Sequence, residues 1–372
     1  MTPIEFRRHL HRHPELSFEE HATAAFITEQ LQAAGIPCRP IAKTGVLATI
    51  RGRHTTAEDR RAVVLRADID ALPITEQTGL QFASQQPGVM HACGHDMHAA
   101  MLYGALCALA AERDFSGTVF GLFQPGEECN PGGASLVLQE QPFADYEVVA
   151  VLGQHVDWQL EVGQIGLRAG AFMAASDEVR LTVEGRGGHG AMRHLLIDPI
   201  EAACSLVSRL LTINRTHPNA VLSIGHIEGL GATNVVPNEV RLEGTLRTFD
   251  EAERTALHAL IAQQAAEIDS QFGTHTVVDI NHGYPSVQNN AALVEALTEP
   301  AQAAGFEILS LDRRMLAEDF GFYTLHYPSL FWRIGVGADS GRSHTATYAP
   351  SEECIDGGIR LMEAMAHKLL QR

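Results

Sequence analysis

Apolar runs rich in β-branched residues alternate with helical patterns over the first 170 residues of the chain. Such runs are typical of buried strands, whereas apolar positions spaced three and four apart are typical of helices. The pattern predicts strands over residues 45–50, 62–69, 118–123 and 148–156, and helices over residues 96–111 and 133–140. Strands that alternate with helices favour a sheet of mainly parallel neighbours with a cover of helices.

The pattern changes near residue 172, where strands and helices follow a different order. It predicts strands over residues 178–184, 220–227, 239–249 and 276–281, and helices over residues 199–213 and 251–272. In chain order these elements form a β-α-β-β-α-β succession, which is typical of a ferredoxin-like fold. Because the succession is complete in itself, we interpret it as a domain inserted into the chain.

The first pattern resumes after Tyr284 and Pro285. It predicts helices over residues 290–304 and 353–370 and a strand over residues 330–336. We therefore predict an α/β domain built from residues 1–171 and 284–372, with an α+β ferredoxin-like domain, residues 172–283, inserted between its two parts. A chain of 372 residues is long enough for each of these domains to bury its own core.

Charge and composition exclude several classes of protein. The chain has 27 basic and 45 acidic residues and a formal net charge of −18, which disfavours binding to nucleic acid. It contains no apolar run of the roughly 18 residues that would span a membrane, and no apolar stretch follows the basic N-terminus, so we expect a cytoplasmic protein. The six scattered cysteines are then expected to be reduced thiols.

The sequence MHACGHDMH at residues 90–98 precedes an apolar helical pattern. Cys93 and His95 are separated by one glycine, so a tight turn can direct a thiolate and an imidazole at one metal ion. The alternative is a purely structural segment, in which Asp96 caps the helix and the histidines have no functional role.

Polar residues also follow the ends of the predicted strands. Glu127 and Glu128 come directly after strand 118–123, and this pair, taken alone, could be a solvated acidic loop. His155 ends another strand, where a histidine is often a satisfied core residue, and His344 lies in a polar loop after strand 330–336. Asp68 and Asp70 lie where strand 62–69 stops; Asp68 could orient a ligand and Asp70 could equally form a turn. Their common location at strand ends suits one or two divalent ions with a base beside them.

These residues lie in motifs that resemble the M20 metallopeptidase family, in particular its amidohydrolase branch of N-acyl-amino-acid or hippurate hydrolase-like enzymes. The resemblance extends from RRHLHRHPELSFEE near the start to the final helix. The motifs that carry it, in chain order, are MHACGHDMHAAM, FQPGEE, the strand-end His155, GRGGHGA, NVVPNE, GTLRTFD, AEDFGFY and the late His344.

The resemblance implies a catalytic domain with a bimetal centre and an inserted lid or dimerisation domain, and hence a homodimer. Matched motif by motif, the resemblance implies that the metals are bound by Cys93, His95, Glu128, His155 and His344. It also implies that Glu127 is the general acid/base and that Asp68 orients a ligand. In the lid, it implies that His189 reaches the substrate carbonyl and that Asn234 and Arg247 hold the substrate carboxylate.

The implied activity is hydrolysis of the amide bond of N-acyl amino acids to a carboxylic acid and a free amino acid by a metal-activated water. Relatives commonly use manganese, cobalt, nickel or zinc, and a thiolate ligand favours zinc or another late transition metal over magnesium or calcium. One alternative is a carboxypeptidase or dipeptidase of the same family. A non-catalytic metal-binding protein is a further alternative, but it predicts loss of the base, and Glu127 is present.

Two segments depart from the family pattern. Cys129, Asn130 and Pro131 follow the glutamate pair where many relatives are rich in glycine, so a second thiol is expected near the metals. Arg193 replaces the proline of the usual GAMPH segment and adds a positive charge to the inserted domain. Neither change removes a predicted catalytic group, but both affect the prediction of substrate preference.

Overall fold

The computed structural model describes residues 1–371. Its strands are β1 (Cys38–Ile41), β2 (Gly45–Arg51), β3 (Arg61–Asp68), β4 (Thr118–Gln124), β5 (Glu147–Asp157), β6 (Gln164–Leu167), β7 (Gly170–Met173), β8 (Ala175–Glu184), β9 (Gly188–His189), β10 (Ala220–Glu228), β11 (Val235–Val236), β12 (Glu239–Thr248), β13 (His275–Asn281), β14 (Val287–Asn289), β15 (Glu307–Ser310) and β16 (Ser329–Gly335). Its helices are α1 (Pro3–Arg12), α2 (His21–Ala33), α3 (His95–Glu112), α4 (Gly133–Gln139), α5 (Pro199–Leu210), α6 (Ile213–Thr216), α7 (Glu251–Phe272), α8 (Ala291–Ala303), α9 (Gly321–Thr324) and α10 (Ile355–Leu369).

The chain divides into two compact units. The first unit contains Met1–Gly170, Gln288–Asp312 and the described residues from Asp319 onward. The second unit contains Ala171–Val287 together with Arg313–Glu318. From the sequence, residues 313–318 are predicted to belong to the first domain, whereas in the structure they belong to the second unit. No local pattern distinguishes this segment from the chain around it.

The first unit is built on a mixed sheet of eight strands in the order β1-β2-β4-β3-β5-β16-β6-β15. The strands β4, β3, β5 and β16 are mutually parallel neighbours in the middle of this sheet. The prediction of parallel neighbours is confirmed there. Antiparallel pairs join β1 to β2, β2 to β4 and β16 to β6, which makes the sheet mixed.

Helix α3 packs against the parallel strands and lies between α1 and α10. Its residues are apolar on almost every side, and the residues from His95 to Leu106 are buried, as expected for a helix enclosed by its neighbours. The helix begins at the edge of the sheet where the parallel strands end. Consequently, its first residues lie beside the polar residues that follow β3, β4 and β5.

The second unit contains an antiparallel sheet of four strands in the order β10-β12-β8-β13. The elements β8, α5, β10, β12, α7 and β13 follow one another as β-α-β-β-α-β. Alternate residues of β8 are buried against α5 and α7, with Val179, Leu181 and Val183 in the core of this unit. The short strands β9 and β11 pair with each other outside the four-stranded sheet.

Two broader expectations concern the whole chain. Among residues 1–371 no helix combines the length and the apolar character needed to cross a membrane. All six cysteines are free in the structure, and Cys93 and Cys354 are buried.

Candidate metal centre

Six segments of the first unit bring polar side chains together at one edge of its sheet. Asp68 ends β3 and Asp70 follows it, two glutamates follow β4, and β5 carries His155 near its end. The turn before α3 carries Cys93 and His95, and the loop after β16 carries His344. Ser17 reaches the same place from the loop between α1 and α2. Functional groups of open α/β sheets lie at the carboxyl ends of parallel strands, as they do here.

A glycine turn aims Cys93 and His95 at the same point. Gly94 adopts a left-handed conformation with φ of 90°, and a Cβ placed on it would lie 2.6 Å from Cγ2 of Val156. The residue therefore has to be glycine both for backbone conformation and for space. Gly94 is also the N-cap of α3, so the alternative in which Asp96 caps the helix is wrong. The Asp96 carboxylate instead accepts a hydrogen bond from Nε of Arg7 at 2.7 Å.

The Cys93 sulfur lies at the centre of the candidate site. It is 3.4 Å from Nε2 of His155 and 3.3 Å from Nε2 of His344. Two groups of possible ligands share it, one with His95 and His155 and one with Glu128 and His344, and within each group the donor atoms lie within 4.8 Å of one another. Cys93 is therefore the side chain that these two groups of possible ligands have in common.

His344 reaches the site from a backbone conformation that is unusual for a residue with a side chain. Its φ is 62°, in the left-handed region, and its backbone N–H donates to the carbonyl of Ala92 at 2.8 Å. Such strained conformations persist where the surrounding contacts enforce them and concentrate at functional sites. The hydrogen bond joins the His344 loop to the segment that carries Cys93.

The two adjacent glutamates approach the site differently. Oε2 of Glu127 and Oε1 of Glu128 each lie 3.9 Å from Nε2 of His95, and Oε1 of Glu128 lies 3.2 Å from Nε2 of His344. Within residues 1–371, buried Nε2 of His95 and buried Oε1 of Glu128 have no hydrogen-bond partner. Buried polar atoms are normally satisfied, so two such atoms 3.9 Å apart fit a site for a cation.

The electrostatics of the side chains agree with a cation at this place. Burial, together with the nearby charge of Glu128, raises the pKa of the Cys93 thiol to about 12, so a thiolate here requires positive charge beside it. Burial and then the charge of Arg333 hold the pKa of His155 well below its usual range, which keeps the ring neutral. Nδ1 of His155 lies 2.7 Å from the Val156 carbonyl and donates to it, so the Nε2 lone pair faces the sulfur.

The two aspartates at the end of β3 contact different histidines of α3. Oδ1 of Asp68 is 3.8 Å from Nδ1 of His95 but only 2.6 Å from Nδ1 of His98. The side chain within hydrogen-bonding distance of Nδ1 of His95 is Asp70, at 3.1 Å. His98 in turn accepts a hydrogen bond from the backbone of Val156, next to His155. His98 lies in the MHACGHDMH motif, but its spacing from His95 gives no signal of this separate role.

A buried hydrogen-bond network centred on Arg66 supports Asp68. Arg66 donates through Nη1 to Asp68 at 2.7 Å, through Nη2 to Asp319 at 2.8 Å and through Nε to Gln124 at 3.0 Å. Asp319 also accepts two hydrogen bonds from Gln124 and one from the backbone of Ala134 at the start of α4. Arg66, Asp68 and Asp319 are fully buried, so the network fixes the relative positions of β3, β4 and α4.

The comparison with known families decides the class of the protein. A family model described as Peptidase family M20/M25/M40 matches residues 64–368. The chain belongs to this peptidase family. The resemblance seen in the motifs is therefore confirmed.

Relatives of this M20 chain include enzymes that remove acetyl groups from amino acids. An N-acetyl-L-cysteine deacetylase of Bacillus subtilis (strain 168) is 39% identical over 373 residues, covering 99% of this chain and 88% of that protein. An N-acetyldiaminopimelate deacetylase of Bacillus cytotoxicus (strain DSM 22905 / CIP 110041 / 391-98 / NVH 391-98) is 33% identical, with 96% of each chain covered. Among solved structures, a dinuclear metal-binding peptidase of the M20 family from Bacillus subtilis superposes with a TM-score of 0.88 and 34% identity, covering 99% of this chain and 97% of that one.

The donor set of this M20 chain fits a dinuclear centre. Five side chains provide one sulfur, three imidazole nitrogens and one carboxylate, a combination that suits late transition metals. Cys93 belongs to two of the groups of possible ligands, so the five side chains provide two groups of three donors. The unsatisfied atoms on His95 and Glu128 are the structural observation that supports the fit.

The remaining predicted site residues lie in the second unit. Pairing of β9 with β11 brings His189 opposite Val235, and the backbone of Gly190 donates to the Asn234 carbonyl at 2.9 Å, so His189 and Asn234 are neighbours. Arg247 lies on β12, where its Nη1 donates to the carbonyl of Met315 at 2.8 Å. His189 and Asn234 are exposed, whereas Arg247 is half-buried.

Both departures from the family pattern are on the surface. Cys129 is exposed, and its sulfur contacts the carbonyl of Asn130 at 3.5 Å. Arg193 is also exposed, and it pairs with Glu201 of α5 at 2.7 Å. The added positive charge of Arg193 is therefore compensated within the second unit.

Proposed function

We propose that this chain is a metal-dependent amidohydrolase that cleaves N-acyl amino acids to a carboxylic acid and a free amino acid. The observation that carries the proposal is a carboxylate, Glu127, held beside a set of metal-ligand side chains that includes its own neighbour Glu128. The relatives that act on acetylated amino acids support the choice of substrate class.

In this proposal Cys93, His95, Glu128, His155 and His344 hold two divalent ions. Their chemistry suits zinc, manganese, cobalt or nickel, and the thiolate of Cys93 favours the later metals of this series. Bound divalent ions supply Lewis acidity and bring the pKa of a water molecule into the neutral range.

Glu127 is the proposed general base and general acid. Its carboxylate takes a proton from the attacking water while the new bond forms between the water oxygen and the carbonyl carbon. Glu127 then gives this proton to the leaving nitrogen as the C–N bond breaks, so the carboxylate returns to its starting state. The position of Oε2, 3.9 Å from Nε2 of His95, supports this role because the group faces the donor set from only 7% exposure.

His189 is the proposed hydrogen-bond donor to the carbonyl oxygen. Its Nδ1 accepts a hydrogen bond from the backbone N–H of Ala191 at 3.2 Å, so the proton of a neutral ring lies on Nε2, which can donate. Asn234 and Arg247 are the proposed partners of the substrate carboxylate. Since one guanidinium nitrogen of Arg247 contacts Met315, Nε and Nη2 supply the donors for this interaction.

The second unit is the proposed lid and dimerisation domain. β10 is an edge strand of its sheet, and edge strands offer unpaired backbone groups to a partner. Val221 and Ile227 on this strand and Leu230 just after it are exposed apolar residues, with Leu230 at 82% exposure. Light scattering on the eluting protein tests the proposal. A mass twice 40.3 kDa that falls to 40.3 kDa in Ile227→Glu supports it, and a monomeric wild type contradicts it.

The central experiment compares Glu127→Gln with Glu128→Gln, two identical changes at adjacent positions. We expect Glu127→Gln to keep its metal content and to lose about 10²–10⁴ in turnover, because it removes only the proton carrier. Glu128→Gln should lose metal as well as activity, because it replaces a ligand. Metal content is measured by elemental analysis, and activity by release of free amino acid from N-acetyl and N-benzoyl amino acids.

The substrate panel includes dipeptides, so that its outcome separates the candidate functions. Release of free amino acid from the acylated substrates by the wild type alone supports the amidohydrolase. Cleavage confined to dipeptides would instead identify a dipeptidase. Inactivity on every substrate despite two bound ions would contradict both.

A further inference from the structure

Asp70 has no role in the function proposed above, yet it contacts two of the proposed metal-binding residues. It follows β3 by two residues, is 1% exposed, and is surrounded by candidate ligands. Its side chain makes three hydrogen bonds, to His95, to the backbone of Glu128 and to Ser17. A fully buried carboxylate of this kind persists only when such partners compensate its charge.

The first contact determines which nitrogen of His95 faces the candidate site. Nδ1 lies 3.1 Å from Oδ1 of Asp70 and 3.0 Å from the Asp70 backbone carbonyl. Both atoms are acceptors, so Nδ1 carries the proton and Nε2 retains a lone pair. This is the form that binds a metal, and a carboxylate on the far nitrogen also makes the ring a stronger ligand.

The second contact holds the backbone of another candidate ligand. Oδ2 of Asp70 accepts the N–H of Glu128 at 2.9 Å and the hydroxyl of Ser17 at 2.7 Å. The turn that carries Glu127 and Glu128 is thereby fixed to the end of β3. The two oxygens of one carboxylate thus act on two different ligand residues.

We propose that Asp70 is a positioning residue that couples the two halves of the metal centre. His95 belongs to the ligand group with His155, and Glu128 belongs to the group with His344. Asp70 contacts one member of each group, whereas Asp68 is too far from His95, at 3.8 Å, for a hydrogen bond. The inference rests on the proposed metal centre, and it adds that loss of Asp70 weakens both ions together.

The test is a metal-binding titration of Asp70→Asn, with no activity assay required. Asn has nearly the same shape but no charge, and it presents an NH₂ group where one acceptor oxygen had been. Removal of such an outer partner typically costs about 10–100-fold in metal affinity. We expect a loss of this size for each of the two ions, measured by competition between the protein and a chromophoric chelator with Zn²⁺. The Co²⁺-loaded variant should also show an altered visible spectrum.

Asp177→Asn is the matched control. Asp177 is likewise buried and accepts hydrogen bonds from Arg254, His258 and the backbone of Gly283, all in the second unit. This change should lower thermal stability and leave both metal affinities unchanged. A merely structural role for Asp70 predicts the same result for Asp70→Asn, and that result would overturn the proposal.

Ser17→Ala provides a milder second variant in case Asp70→Asn fails to fold. It removes one hydrogen bond to Asp70 and leaves its other two in place. We expect a loss of affinity of about tenfold or less for both ions, and unchanged affinities would contradict the proposal. If wild type binds no metal, the proposed function fails with this inference. If wild type binds two ions and the variants bind them equally well, only the role of Asp70 fails.

Discussion

Replacement of Arg66 by methionine is the strongest test of how the first unit is held together. Methionine fills similar space but provides none of the donors that reach Asp68, Asp319 and Gln124. Both aspartates have fully buried side chains, so they would keep their charge in the interior without the guanidinium. Breaking a buried pair by removing one partner costs about 3–5 kcal/mol. Since a typical domain has only about 5–15 kcal/mol of stability, we expect a loss of about one fifth or more of the free energy of unfolding.

Arg61→Met is the matched control, because Arg61 lies on the same strand and forms an ion pair with Asp59 at 2.9 Å. Arg61 is about one third exposed, so solvent screens this pair and its loss should cost about 0–1 kcal/mol. Any effect of the substitution on the strand itself is common to both variants. The difference between them therefore measures the buried network.

The assay is urea unfolding followed by tryptophan fluorescence in the presence of a chelator. The two tryptophans of the chain, Trp158 and Trp332, both belong to the first unit, so the signal reports on that unit. We expect the midpoint of Arg66→Met to fall well below that of Arg61→Met. Equal midpoints would refute the reasoning, because they would show that the buried carboxylates do not depend on Arg66.

Two further predictions concern a glycine and a buried aspartate. A Cβ on Gly133 would lie 1.7 Å from the carbonyl oxygen of Pro125, so Gly133→Ala must displace the turn before Glu127. We expect kcat/KM to fall at least about tenfold. In the control Gly225→Ala the new Cβ meets no atom within 4 Å, so kcat/KM should stay unchanged. Burial alone would raise the pKa of Asp177, but the hydrogen bonds and the charge of Arg254 hold this pKa below its ordinary value of 3.8. Because the folded pKa is depressed, this stabilisation is complete above the unfolded pKa of about 4 and is lost as the pH falls through the folded value. The difference in free energy of unfolding between wild type and Asp177→Asn should therefore become smaller below about pH 4, as measured by unfolding experiments at a series of acidic pH values. A difference that stayed constant down to pH 2 would contradict this assignment.

Elements with strong local signals could be predicted from the sequence. Helix α7 coincides with the predicted span 251–272, because Asp250 caps it and a left-handed Gly273 ends it. The sequence carries a comparable helix-start signal at α1, which was not among the predicted helices: Thr2 and Glu5 form a capping box around Pro3. The short strands β6 and β15 have no such markers, because only their neighbours in the sheet make them strands.

The candidate site follows the same rule. Cys93, His95 and the glutamate pair lie in short motifs whose spacing already indicates metal chemistry. The contact between Arg66 and Asp319 joins residues 253 positions apart, and nothing in either segment specifies the other. Asp68 and Asp70 differ by only two positions, so sequence alone could not decide which of them faces His95.

The order of the strands in the sheet also affects biosynthesis. β5 pairs on one side with β3, but its other neighbour, β16, lies beyond the whole second unit in the chain. Asp157 at the end of β5 and Ser329 at the start of β16 are 172 residues apart, so a ribosome adding about 5–20 residues per second needs roughly 9–34 s to pass from one to the other. During that interval β5 is an apolar strand without its partner, and unpaired edges of this kind are prone to wrong associations. The nascent chain is thus most vulnerable before residues 329–335 emerge, and a chaperone that binds extended apolar segments would protect it best in this interval.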